Sequence, residues 1–461
     1  MEFLVQFGYI STAVIVLFIS WHLFRSAAGT MSLYRLHIVS WVFYVQLVTA
    51  SLVGALSGVL GVKHYLLDKV STQAITFGFW AVCYVLIATP IAMLVLQRYV
   101  WGENIQWKVE GFFSSSFGVH TRRAFFWFAL WLIAFGSTVY VYLILRRIPI
   151  VSFFSSGSSY DLALFRIDAG RNFTGNQYIR NIFSVFFAPF LSYVAYGYYR
   201  LYHHSSYRIW FWCSVLVAVA ALTYDGEKAP VIFYIFSLFF ARTFINGGTS
   251  RRSLLQIGGI GFVLIVLSYV LFAGSSVNSD TFTGIFRRIF QSQYAGLPLT
   301  LDTFPSRVPF LGIRILPNSL LQFVGTEQVR SSRVILEIWA PSSVVAGTGG
   351  VINTLFVAEA WAAFGWIGLM LSPLWVGFVL QLLHNSFMSL PKTPLTVALL
   401  SYFMTALPIT GGITGFFWNP IWILLLLLVL LESMLGTIVR GQFVSRRLHV
   451  RPSHTEILIN R

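Results

Sequence analysis

Eleven mainly apolar runs recur along this chain, centred on residues 4–24, 37–61, 72–97, 124–145, 181–200, 209–223, 229–243, 255–274, 351–382, 394–410 and 419–439. A helix needs roughly 20 such residues to cross a hydrocarbon core. In lipid every backbone polar group has to find its partner inside the protein, which leaves helices or closed barrels as the spanning structures. Runs six and seven are short and are joined by a tight polar turn from Tyr224 to Lys228. The expected number of spans is therefore about 11, within a range of 10 to 13. Composition agrees, since 57% of the residues are hydrophobic and only 10% are charged, against about 25% charged in soluble domains. The expectation is an all-α polytopic integral membrane protein forming a single membrane domain over residues 1–461, with a basic tail at 440–461. Its surroundings are the lipid bilayer, and no nucleic acid is expected as a partner. The first run has no basic residues before it and no small-residue cleavage site, so it is expected to remain as a helix.

Lysine and arginine favour the cytoplasmic side, chiefly in short loops. Assigning the connections alternately places 17 basic residues on the side of the C-terminal tail and 14 on the other. The tail, with Arg440, Arg446, Arg447 and Arg451, marks its own side as cytoplasmic and puts the N-terminus outside. The external residues are unevenly spread. Eleven fall in two long loops, residues 146–180 and 275–350, and all eleven are arginine. They are Arg146, Arg147, Arg166, Arg171 and Arg180, then Arg287, Arg288, Arg307, Arg314, Arg330 and Arg333. Long loops escape the orientation rule, so these arginines have an ordinary reading as solvated groups or partners of local acids such as Asp161 and Asp168. The second reading is anion binding, because guanidinium is always charged and offers a planar donor fork suited to phosphate oxygens.

Within the first loop, "SYDLALFRIDAGR" has the pattern of a short interfacial helix with Leu162, Leu164, Phe165 and Ile167 toward lipid. The second loop is too long to be a mere connection; it is expected to hold short helices packed as a lid. Chemistry-bearing motifs are otherwise few. There is no Gly-rich phosphate loop ending in Lys–Ser/Thr and no metal-binding His or Cys spacing, and Cys83 and Cys213 both fall inside apolar runs. His64 is the one histidine expected in an external loop. An external reaction then has to draw its base from carboxylates. Glu327 and Glu337 lie in the second loop, and Glu359 lies inside "GGVINTLFVAEAWAAFGWIG". Glu359 and Glu432 are the acids inside apolar runs, a costly placement that usually marks a cavity or a partner. Lys228 opens the run "APVIFYIF" and reads either as a turn lysine paired with Asp225 or Glu227, or as a point charge on an anion.

Three stretches resemble the Wzy-type oligosaccharide repeat-unit polymerases of O-antigen and exopolysaccharide pathways. They are "LFRIDAGRNF…YIRNIFSVFFAPFL", "YDGEKAPVIFYIFSLFF" and "ILPNSLL…GTGGVINTLFVAEAWAAFGWIGLMLSPLWVGFVL", which fall between about residues 140 and 430. The regular Arg-to-Gly spacing of some members is not reproduced: Gly347 follows Arg333 at fourteen residues and Arg330 at seventeen. The resemblance implies a GT-C-like glycosyltransferase of the bacterial inner membrane that needs neither metal nor cofactor. It would work at the outer face on oligosaccharides linked to polyprenyl (undecaprenyl) diphosphate, alongside a chain-length regulator protein. On this reading Arg166, Arg171, Arg180, Lys228, Arg287, Arg288, Arg330 and Arg333 hold the diphosphate, and Glu359, Glu337 or Glu327 supplies the base. An O-antigen-type ligase shares the arginine logic, and a lipid-linked-oligosaccharide flippase is the alternative outside enzymology.

Glu359 gathers these threads. The run from Val351 to Gln381 amounts to about 47 Å if wholly helical, more than a core of about 30 Å, which puts Glu359 toward the outer mouth. Gly349 and Gly350 would let the loop turn into the helix, and Gly365 and Gly368 would admit a close neighbour. Glu359 is then either a base or a carboxylate neutralised by one loop arginine.

Overall fold

The computed structural model describes residues 2–62, 64–102, 104–118, 124–145, 159–170, 172–227, 229–273, 279–346, 352 and 354–448. Among these the chain is helical, with no strand. The first half holds α1 (Glu2–Ala28), α2 (Ile38–Val59), α3 (Thr72–Trp101), α4 (Ile105–Ser114), α5 (Ala124–Leu145), α6 (Ser159–Gly170), α7 (Ile179–Tyr202) and α8 (Ser205–Leu222). The second half holds α9 (Ala229–Ile245), α10 (Arg251–Ala273), α11 (Ser279–Phe286), α12 (Ser292–Thr303), α13 (Ser331–Trp339), α14 (Phe356–Phe364), α15 (Trp366–Ser389), α16 (Pro394–Ala406) and α17 (Pro420–Leu448). Eight helices among the described residues are long and apolar enough to cross a membrane: α1, α2, α3, α5, α7, α8, α15 and Ile413–Met434. Helices α9 and α16 are apolar but shorter. The chain is a polytopic membrane protein.

Two compact units divide after Trp418, the second being α17. Within the first, α3 is a central post against which α1, α2 and α15 lie, and α7 is a second post for α5, α8, α9 and α16. The posts are well buried, whereas α1 and α5 turn Phe3, Val14, Phe18, Phe125 and Leu143 outward. A helix in lipid can do this because its outer face meets hydrocarbon rather than water. Pro90 shows how a polar debt inside the membrane is met. Proline removes the bond that Leu86 O would otherwise accept, and Ser20 of α1 donates its hydroxyl to that carbonyl instead, at 2.7 Å. The proline therefore pins α1 to α3.

The second long loop is not merely a lid. Nearly all of α12 is buried, and it packs against α2, α3 and α14. Tyr294 explains the insertion: its Cβ lies against Gly54 and its ring against Gly58 of α2 and Gly78 of α3, and its hydroxyl donates to Ile75 O at 3.0 Å. The end of α12 is tied to the α3 cap, because Asp302 accepts from Ser71 at 2.5 Å and from Arg307 at 3.2 Å. A short helix expected in the first loop forms as α6.

Candidate functional site

The run 351–382 is not one helix. Gly365, at φ 57 and ψ −130, separates α14 from α15, a backbone combination that strains residues carrying a Cβ. Phe310 fills the space beside it, where a Cβ would meet the ring at 2.7 Å. Gly368 does admit a close neighbour, but the neighbour is α14 itself: a Cβ there would run into Ala360 O. With nine residues, α14 is about 14 Å long and too short to cross a bilayer. It is fixed from the side of the second long loop. Trp361 Nε1 donates to Phe304 O at 2.9 Å, and Leu311 N donates to Ala362 O at 2.9 Å.

On this short helix Glu359 is half-buried and oriented. Its Oε2 accepts from Thr414 N at 2.9 Å and from Thr414 Oγ1 at 2.7 Å, which leaves Oε1 outside that pair. Thr414 follows Gly412, whose φ of 122 lets the turn pass directly over the carboxylate; a Cβ at Gly412 would lie 2.5 Å from Oε2. Burial pushes the Glu359 pKa above its ordinary value, opposed by the Thr414 hydrogen bonds, by the Ile413 backbone and, least of all, by the charge of Arg330. Arg330, an expected diphosphate ligand 29 residues earlier in sequence, is thus within electrostatic reach of one expected base.

The remaining candidates separate into three groups. Arg166 pairs with Glu227 at 2.8 Å, and Arg333 pairs with Glu337 one helical turn on at 2.8 Å, so Glu337 already has a partner. Arg180 was expected to face substrate, and the structure turns it inward. It donates to Ala169 O at 3.1 Å, Gly170 O at 2.6 Å and Asn181 Oδ1 at 2.9 Å, and lies over the rings of Phe173 and Tyr224. Those carbonyls end α6, so Arg180 caps a helix, as cations at C-termini do. Exposed are Arg330, at the N-cap of α13, Arg287 and Arg288, in the π-helical stretch that joins α11 to α12, and Glu327, two residues after Gly325. Arg171, Lys228, Arg146, Arg147, Gly349 and Gly350 lie outside the described residues. His64 is held by its fold role: Nδ1 accepts from Leu66 N at 3.3 Å. Burial, then the charges of Arg287 and Arg288, keep its pKa below the ordinary histidine range.

The turn after α8 gives a direct pH test. Asp225 Oδ1 accepts from Glu227 N at 2.9 Å, and burial, reinforced by the neighbouring Glu227 charge, raises the Asp225 pKa above its ordinary value. A raised folded-state pKa contributes stability that is full below the ordinary value and is lost as pH rises through the folded one. Asp225→Asn keeps the acceptor and removes the charge. It is expected to raise Tm by about 1–2 °C at pH 7 and to match wild type near pH 3, measured by thermal unfolding of the purified chain in an acid-tolerant detergent. An unchanged Tm at pH 7 would count against a penalised charge.

Thr414 and Gly412 were not among the expected site residues. The signal for them was the Gly-rich "GGITGF" at 411–416 just before the last run, which marks a close backbone approach without saying to what. No protein-family model, no curated protein and no solved structure matches this chain.

Proposed function

We propose that the chain is a GT-C-type, metal-independent glycosyltransferase that polymerises lipid-linked oligosaccharide repeats at the outer face of a bacterial cytoplasmic membrane. One observation carries the reading: the short helix α14 holds Glu359 in an orientation set by Thr414, close enough to Arg330 of the second long loop for that charge to act on it. In the reaction, a hydroxyl at the nonreducing end of a new repeat forms a bond to the anomeric carbon of the growing glycan. The bond from that carbon to polyprenyl diphosphate breaks, and the leaving diphosphate keeps the electron pair. Glu359 takes the hydroxyl proton as general base. Arg330, with Arg287 and Arg288, stabilises the charge that grows on the leaving group.

Deleting the gene tests the reading in cells. Single repeats capping the surface, with long chains lost, are expected. Repeats trapped on the cytoplasmic face would indicate a flippase, and long chains retained on the lipid carrier would indicate a ligase.

A further inference from the structure

At the end of α1, three backbone carbonyls are drawn into the core. Gln381 Nε2 donates to Ala27 O at 3.0 Å, His384 Nε2 to Ala28 O at 3.1 Å and His37 Nε2 to Thr30 O at 2.8 Å. All three donor side chains are fully buried. The final carbonyls of a helix carry its partial negative charge, and here several of them are satisfied from within. The outward side of the same turn lines a polar cavity of about 270 Å³. Its walls are His22, Arg25 and Ser26 of α1, and Asn104, Ile105 and Gln106 at the start of α4. Gly29 brings the walls together, since a Cβ there would lie 2.9 Å from Gln106 Cα.

Among the described residues the lining contains no carboxylate. Arg25 rests over the Trp21 ring at 5.4 Å and has no acid partner among the described residues. Asn104 Oδ1 accepts from Gln106 N at 2.9 Å, which leaves its Nδ2 outside that bond, while Gln106 Nε2 is turned to Glu110. A guanidinium and an amide donor in a recess whose described lining is without carboxylates suit phosphate oxygens. Exposed Tyr99 and Trp107 flank the α4 wall, and such aromatics collect at headgroup depth.

We propose that this recess binds a phosphate-bearing anion, either the headgroup of an anionic phospholipid or a soluble phosphate ester, through Arg25 with Asn104 and His22 as further donors. The site is distinct from the Glu359 site and does not depend on the reaction proposed for it.

The test uses the full-length chain, purified and stripped of lipid. Native mass spectrometry measures retention of phosphatidylglycerol against phosphatidylcholine, and thermal unfolding measures stabilisation by glycerol phosphate. Phosphatidylglycerol is expected to be retained, or glycerol phosphate to raise Tm, with binding weakened about tenfold in Arg25→Gln and less in Arg25→Lys. Response to the lipid alone identifies a headgroup, and response to glycerol phosphate alone identifies a soluble ester. Should Arg25→Gln fail to fold, Asn104→Ser keeps a helix-capping oxygen and removes only the amide donor, and the same weakening is expected. No preference over phosphatidylcholine together with no stabilisation, or equal binding by wild type and the folded variants, overturns the proposal.

Discussion

Glu359→Gln is expected to stop chain elongation while the protein is made at its usual level. The substitution keeps the shape of the side chain, and its amide oxygen still accepts from Thr414 N and Oγ1, the two bonds that orient Oε2. What it loses is the capacity to take a proton. General base catalysis typically contributes about 10²–10⁴-fold, so the initial rate of polymer formation from purified lipid-linked repeats should fall by a factor in that range. Glu359→Asp keeps the proton acceptor and withdraws it by one methylene from the Thr414 turn; a smaller loss is expected, about tenfold, because a misplacement near 1 Å is costly when geometry is fixed. Wild-type rates in Glu359→Gln would reduce Glu359 to a brace between α14 and the Gly412–Thr414 turn.

The parts of this arrangement that sequence disclosed are those with a local cause. Apolar runs imply helices because lipid leaves the backbone few alternatives, and the interfacial pattern of "SYDLALFRIDAGR" became α6. Glu359 stood out because a carboxylate among apolar residues is expensive. The break at Gly365 was hidden for a physical reason. Hydropathy sees a glycine between Phe364 and Trp366 as one more apolar position, whereas its φ of 57 is decided by Phe310 packing against it from another loop. The depth of α12 was hidden in the same way. The long loop read as short helices packed as a lid, but Tyr294 fits between glycines of α2 and α3 more than 200 residues earlier in the chain. Nor could residue type separate Arg180 from Arg330. One meets the carbonyls ending α6 and the other stays exposed with its charge acting on Glu359, and sequence spacing encodes neither outcome.

Arg330→Ala should be nearly as damaging as Glu359→Gln, and for a different reason. Removing a donor that faces developing charge commonly costs about 10²–10³ in rate, and Arg330 is exposed with its charge acting on Glu359. Arg330→Lys retains the charge without the fork and should recover part of the loss. Arg333→Ala is the control: its guanidinium is paired with Glu337 on the surface of α13 at 2.8 Å, and exposed pairs of this kind matter little, so a loss under about tenfold is expected. The pH–rate profile separates two roles for Arg330. If it acts only on the leaving group, alanine lowers the profile without moving it. If its charge also acts on Glu359, the acid limb moves to higher pH, because a carboxylate that loses a neighbouring cation holds its proton more readily. The second outcome is expected, since Arg330 is the cation acting on Glu359. A wild-type rate with an unmoved limb would take Arg330 out of the site and assign the diphosphate to the pair Arg287 and Arg288.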